Sequence, residues 1–126
     1  TGNVTGNVTG NVTGNVTGTL TGNQLIPCAT VAAAGNTQAN AAAVAAGFTL
    51  VSAADGTKGV LLPTAVAGTV VVLKNNVNAV LKVWPFVGDG INAVAVDSNF
   101  VLAALTSVYL VAYDTTTWYS VPLLAS

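Results

Sequence analysis

Hydrophobic and polar positions divide the chain into two parts with different periods. From Thr1 to Val16 the tetrad Thr-Gly-Asn-Val occurs four times, and residues 17–23 carry a decaying version of it. From Cys28 onward, short apolar runs alternate with turn-forming residues. Internal repeats of this kind indicate a stacked or fibrous architecture. We therefore predict a repeat stalk with its linker over residues 1–27 and a globular body over residues 28–126.

The tetrad favours an extended conformation. Gly, Asn, Thr and Val have low helix propensity, collagen needs Gly at every third position, and a coiled coil needs apolar residues three and four apart. In a strand, Thr and Asn fall on one face, while Val and Gly fall on the other. A lone strand leaves its backbone groups unpaired. We therefore expect the stalk to form a homotrimer through Val4, Val8, Val12, Val16 and Leu20.

Two other geometries stay open for the stalk. Gly-Asn is a turn signal, so each Val-Thr pair could form a very short strand between tight corners. The result would be a narrow β-solenoid or a triple β-spiral. The other possibility is a flexible tether, because linkers rich in Gly and small polar residues behave as coils.

The body is predicted to be a series of short strands. Residues 37–46 are ambiguous, because Ala favours a helix whereas the surrounding pattern favours a strand. Thr69–Lys74 is a β-branched run typical of a buried strand. The remaining strand segments are Ala29–Ala34, Phe48–Ala53, Lys58–Leu62, Val80–Trp84, Phe100–Leu105, Ser107–Tyr113 and Thr117–Val121. This spacing predicts an all-β fold, specifically a small antiparallel β-sandwich or barrel.

Acidic residues coincide with turn signals. Asp55-Gly56 is a favoured hairpin dipeptide, Gly88-Asp89-Gly90 reads as a tight turn, and Asp114 opens a predicted hairpin loop. Asp97 lies in a further polar segment. We expect turn roles for these carboxylates rather than acid–base catalysis or calcium binding.

The composition argues against most enzyme chemistry. The chain has no His, so the usual base of a nucleophilic triad is missing. Its single cysteine, Cys28, allows neither an intrachain disulfide nor a cysteine metal cluster. No phosphate-binding glycine loop is present. We expect a non-enzymatic protein with no catalytic residues, no cofactor and no metal.

Charge and length also argue against nucleic acid and membranes as partners. Three Lys and a formal net charge of −1 provide no basic stripe for phosphates. The longest apolar run, Phe100–Ala112, is too short to span a bilayer and contains Thr106 and Ser107. Because the chain opens within a repeat, we also expect further residues upstream.

Two parts of the sequence resemble a known class of proteins. The Thr-Gly-Asn-Val tetrads resemble the low-complexity shafts of tail fibres and head fibres of tailed phages. Gly59–Pro63, Asn78–Pro85, Gly88–Asn92 and Trp118–Ser120 are similar to a small β module of phage virion proteins. The resemblance implies a structural protein at the virion surface, an oligomeric fibre or capsid-decoration element in contact with the capsid or the tail.

Two alternative functions stay open. In the first, the body is a fibre tip that binds a host receptor or surface glycan, and Trp84, Trp118 and Tyr119, together with Tyr113, form a stacking platform. Packing in a core or an interface is the competing role for these rings. In the second, the chain is a subunit of a bacterial extracellular filament whose repeats join chain to chain.

Overall fold

The computed structural model describes residues 25–121 continuously, together with residues 6, 9–10, 13–14, 17–19 and 21 of the repeat. The five apolar stalk positions Val4, Val8, Val12, Val16 and Leu20 lie outside the described residues. Their predicted role in a homotrimer therefore stays a prediction.

Ten short strands form the body within residues 25–121. They are β1 Cys28–Ala32, β2 Ala42–Ala43, β3 Gly47–Ala53, β4 Gly59–Leu61, β5 Val70–Asn75, β6 Leu81–Trp84, β7 Gly90–Ile91, β8 Phe100–Leu102, β9 Ser107–Ala112 and β10 Thr117–Val121. A single 3-10 turn, Gln38–Asn40, precedes β2. The predicted all-β class is confirmed, and no helix in the described part of the chain has the length and apolar character to cross a membrane.

The strands form two sheets, and the chain alternates between them. The large sheet has the order β1-β3-β5-β9-β10-β7, and the small sheet has the order β2-β4-β6-β8. From β1 to β6, each strand stacks in parallel on the strand two places earlier in the chain. The pairs β1–β2, β3–β4 and β5–β6 are therefore stacked coils of a β-solenoid.

The predicted antiparallel pairing holds only toward the C-terminus. β9 runs antiparallel to β5 and β10, and β8 runs antiparallel to β6, whereas the coils pair in parallel.

Asp55-Gly56 does not close a hairpin. The Asp55 Oδ1 atom accepts hydrogen bonds from the amides of Thr57 and Lys58 at 3.0 and 3.2 Å. This local turn carries the chain from the large sheet to the small one.

The core lies between the two sheets. Alternate residues of β3, β5 and β9 point inward and are buried, as expected for strands with one face on a core. One continuous apolar cluster contains residues from both sheets. Its fully buried members include Val51, Val60, Leu73, Leu81, Leu110 and Trp118.

A buried amide fixes the corner after β5. Asn75 is fully buried, and its Nδ2 donates hydrogen bonds to the carbonyls of Ala79 at 2.8 Å and Ala103 at 3.0 Å. Its Oδ1 accepts a hydrogen bond from the Val77 amide at 3.2 Å. Because buried backbone groups need partners, Asn75 joins the corner after β5 to the corner after β8.

The described glycines of the repeat share one backbone conformation. Gly6, Gly10, Gly14 and Gly18 each lie at a bend with φ between 125° and 135°. Residues with a side chain rarely adopt this region. A regular bend every four residues differs from the straight strand expected of the tetrad, and it agrees with the alternative in which glycine forms corners.

Candidate functional site

The side of the large sheet that points away from the core is mostly apolar, and its polar residues include Thr30, Lys74, Ser107 and Thr117. Its residues alternate along the strands with the buried core residues, so their side chains lie on the opposite face. We define the outer face as Phe48, Leu50, Val70, Val72, Tyr109, Val111, Tyr119 and Val121.

The strand register aligns these side chains in rows. Cys28 pairs with Phe48, Phe48 with Val72, Val72 with Tyr109, and Tyr109 with Val121. Paired residues on neighbouring strands point to the same face of a sheet. One apolar row therefore crosses five strands, from β1 to β10.

A second row contains the most exposed aromatic rings of the outer face. Val70 pairs with Val111, and Val111 pairs with Tyr119. The Tyr119 ring is 48% exposed and meets the 72% exposed Tyr113 ring edge to face, with centroids 5.9 Å apart. This geometry is favourable for aromatic pairs and leaves both rings accessible.

The segment before β1 reaches the body at the outer face. The Pro27 carbonyl accepts a hydrogen bond from the Phe48 amide at 2.9 Å. A Cβ on Gly47 would lie 2.4 Å from the Pro27 oxygen, so glycine is required for this approach. The segment borders an open cavity of about 300 Å³, lined by Ile26, Pro27, Ala46, Gly47, Val70, Val72 and Tyr109. The route from the repeat therefore runs along the outer face.

The outer face has very little charge. Among the strands β1, β3, β5, β9 and β10, Lys74 is the only charged residue. Its ammonium donates a hydrogen bond to the Leu105 carbonyl. A ligand or partner that relied on ion pairs would find no matching charge among the outer-face residues.

β1 is an open edge of the large sheet. It pairs with β3 on one side and ends the strand order on the other, within the described residues. Its sequence, Cys-Ala-Thr-Val-Ala, has neither a charge nor a proline, which are the usual protections of edge strands. The strand can therefore accept a further strand.

The small sheet covers part of its own outward side with an indole ring. A Cβ on Gly59 would lie 2.8 Å from Nε1 of Trp84 and 2.9 Å from the Lys82 oxygen. The Trp84 indole thus lies directly against the Gly59 backbone. Gly59, Lys82 and Val101 form one row on this side, so the small sheet has a covering ring and a charge on its outward side.

The structure does not bring together all four rings of the predicted stacking platform. Trp118 is fully buried, because the alternation of β10 points it into the core, and it has no face open to a ligand. Trp84 lies on the outward side of the small sheet, whereas Tyr119 lies on the outer face of the large sheet. Only Tyr113 and Tyr119 are adjacent.

Asp55 and Asp114 stabilise turns. Asp55 Oδ1 accepts a hydrogen bond from the Thr57 hydroxyl at 2.7 Å, and the hydroxyl and amide of Thr57 hold the pKa of Asp55 well below its ordinary value. Asp114 accepts from the Thr116 amide at 2.8 Å, which likewise lowers its pKa. Hydrogen bonds to a carboxylate favour its charged form.

The other two aspartates hold the segment before β7 and the segment after it. Asp97 Oδ1 accepts from Nε2 of Gln38 at 3.0 Å and from the Gly88 amide at 2.7 Å, and these bonds lower its pKa. Asp89 is buried, and its Oδ2 accepts from the Ala65 amide at 2.9 Å. Within the described ranges, no group of three or more His, Cys, Asp or Glu could hold a metal ion.

The outer face was not recognised in the sequence, although a signal for it exists. Val70–Leu73 and Val108–Val111 are uninterrupted apolar runs. A strand with one wet side normally alternates apolar and polar residues, whereas a strand covered on both sides does not. The two runs mark the centre of the outer face.

Comparison with known proteins adds no relative. No protein-family model matches the chain, and neither the curated proteins nor the solved structures contain a match. The likeness to phage virion proteins stays a prediction from sequence motifs.

Proposed function

We propose that the chain is a non-enzymatic structural protein that assembles with copies of itself into a fibre or a surface element of a virion. The observation that carries this proposal is the open edge of β1 among the described residues, and in the sequence β1 follows the repeat after a short linker, residues 24–27. An unprotected edge strand is a template for pairing with another chain. The repeat and the first coil of the body then form one continuous assembling unit.

The low charge of the chain supports self-association. Its formal net charge is −1, and 6% of its residues are charged. Copies therefore repel one another weakly. The contact with a capsid or tail and the place at the particle surface rest on the sequence resemblance.

The mass of the full chain in solution tests this proposal. Light scattering over a range of concentrations should give a mass several times that of the 12.4 kDa chain. Electron microscopy should then show short closed particles for a virion element, or open fibres for the extracellular filament. A monomer at every concentration would contradict self-assembly in either form.

A second candidate function, recognition of a host glycan, is favoured by one observation. The Tyr113 and Tyr119 rings form an exposed aromatic pair at one end of the outer face, and such rings combine an apolar face with a hydroxyl. A glycan array probed with the intact chain and with Tyr119→Ala tests it. Trp84→Ala is the control, because Trp84 lies on the other sheet. Loss of binding in Tyr119→Ala alone would support glycan recognition. If the intact chain bound none of the glycans on the array, recognition of those glycans would be excluded.

A further inference from the structure

We propose that the outer face of the large sheet is buried against further copies of this chain, so that the bodies pack with their large sheets toward one another. This inference rests on the proposed self-assembly. It adds the place where the copies meet.

The first argument is the composition of β5 and β9. Val71 and Leu73 of β5 are buried in the core, while Val70 and Val72 point outward. β9 repeats the pattern, with Tyr109 outward between two inward residues. Such continuous apolar runs are typical of strands covered on both sides. The small sheet covers the inward side of β5 and β9. A partner on the outer face would cover their other side.

The second argument identifies the cover as the same chain. The outer side of the large sheet carries a single charge, Lys74 at the end of β5, and its ammonium already donates a hydrogen bond to the Leu105 carbonyl. A surface with one charge at its border can meet its own copy with little like-charge repulsion, as a symmetric interface requires. It offers nothing that would select an acidic or a basic partner.

The third argument is the route of the chain. Ile26 and Pro27 border the outer face beside Val70 and Val72, and the repeat ends directly before them. Each copy therefore connects to its repeat on the side of its outer face. Copies that associate through their repeats would have their outer faces close to one another.

The size of the outer face shows that it acts together with the repeat. Five strands about 4.8 Å apart and about five residues long cover roughly 20 Å by 17 Å. A standard stable interface buries about 800 Å² per partner, which is more than this face alone can supply. The contact should therefore strengthen an assembly that the repeat also holds, and weakening it should shift the dissociation concentration.

Matched lysine variants test the inference. Val72→Lys places a charge at the centre of the outer face, and Val101→Lys places one on the outward side of the small sheet, where Val101 is 55% exposed. In the full chain, Val72→Lys should raise the dissociation concentration by about tenfold or more, since burying a charge is costly. Val101→Lys should change it by less than about twofold. Circular dichroism of both variants shows whether they fold.

Cys28 gives a second measurement that needs no variant. It is the only thiol of the chain, is exposed in the single body, and begins the apolar row through Phe48. Its rate of reaction with a maleimide should be about tenfold lower above the dissociation concentration than below it. Pairing at the β1 edge would also slow this reaction, so if Val72→Lys does not fold, Val121→Lys takes its place, since Val121 lies on the outer face and is 48% exposed.

The outcomes separate the two proposals. If the chain assembles, but Cys28 reacts equally fast at both concentrations, or Val72→Lys (or Val121→Lys in its place) behaves like Val101→Lys, the outer face is not the contact and self-assembly stands. If the unmodified chain is a monomer at all concentrations, the proposed function is wrong and the outer face has no second copy to meet.

Discussion

The two outward sides of the body differ in how they are covered. On the small sheet, the Trp84 indole lies against the Gly59 backbone, and Lys82 adds a charge. On the large sheet, the corresponding surface consists mainly of Val, Phe, Leu and Tyr side chains, with Lys74 at its border and no covering ring from the described residues. The chain thus covers part of one sheet with its own indole ring and leaves a broad apolar surface on the other.

The difference between the two sides can be followed to the sequence of two strands. β6 reads Leu-Lys-Val-Trp, in which the inward Leu81 and Val83 alternate with the outward Lys82 and Trp84. β5 reads Val-Val-Val-Leu over its first four residues and does not alternate. Alternation therefore distinguishes β6, whose outward side carries a ring and a charge, from β5, whose outward side is apolar up to Lys74.

The largest loss of stability is expected from a substitution that disturbs the contact between Trp84 and Gly59. Gly59→Ala would place a Cβ 2.8 Å from Trp84 Nε1 and 2.9 Å from the Lys82 oxygen. Because a backbone atom cannot move aside easily, we expect a loss of about 2–3 kcal/mol in the free energy of unfolding, measured in urea. Gly90→Ala is the control, since its Cβ would meet its nearest atom at 3.8 Å. Equal losses in both variants would refute the close packing of Trp84.

A smaller loss is expected when the covering ring itself is removed. Trp84→Ala should cost about 2 kcal/mol, because the half-buried indole loses its contact with the small sheet. In the Trp84→Ala background, Gly59→Ala should cost about 1 kcal/mol less than it does alone, since one of its two clashes is gone. Additive losses in this double-mutant cycle would show that the two residues do not interact.

Adjacent valines of β5 provide a sharper test of the two faces. Val71→Thr buries a hydroxyl in the core and should cost about 1–3 kcal/mol. Val72→Thr places the same hydroxyl on the outer face and should cost less than about 0.5 kcal/mol in the dissociated chain. Urea unfolding at low concentration measures both. A register in which Val72 pointed inward would reverse the order.

The smallest effect on stability is expected from changes of pH near neutrality. The chain has no His, so no side chain with an unperturbed pKa between about 5 and 8 is present. The pKa values of Asp55, Asp97 and Asp114 are lowered from the ordinary 3.8 in the folded chain. Their stabilisation is therefore complete above the unfolded value of 3.8 and is lost as the pH falls through the folded values.

Thermal unfolding as a function of pH checks this expectation for both sides of the body. The melting temperature should stay level between about pH 5 and 8 and should fall only in stronger acid. A transition near neutral pH would show that a titrating group other than Asp55, Asp97 and Asp114 controls the fold or the assembly.

Much of the strand content could be predicted from the sequence. Thr117–Val121 was predicted with the ends that the structure shows, and Val80–Trp84 differs from β6 by one residue. β2 and β7 have two residues each, which is too short for a period of two to be seen. β7 also overlaps the turn signal at Gly88–Gly90.

Strand direction and the role of individual rings could not be predicted in the same way. Asp55-Gly56 suits a hairpin as well as a corner between sheets, and only tertiary pairing decides between them. Trp118 and Tyr119 are neighbours with similar rings, yet the alternation of β10 buries one and exposes the other. The sequence shows where the aromatic residues are, and the register of the strand decides which of them are buried and which are exposed.

A density map of the assembled full chain, at a resolution that shows side chains, tests the central claim most directly. The account predicts neighbouring bodies with their large sheets facing one another and with Val72 and Tyr109 in the contact. Bodies that meet through the Trp84 side of the small sheet, or that do not touch at all, would contradict it.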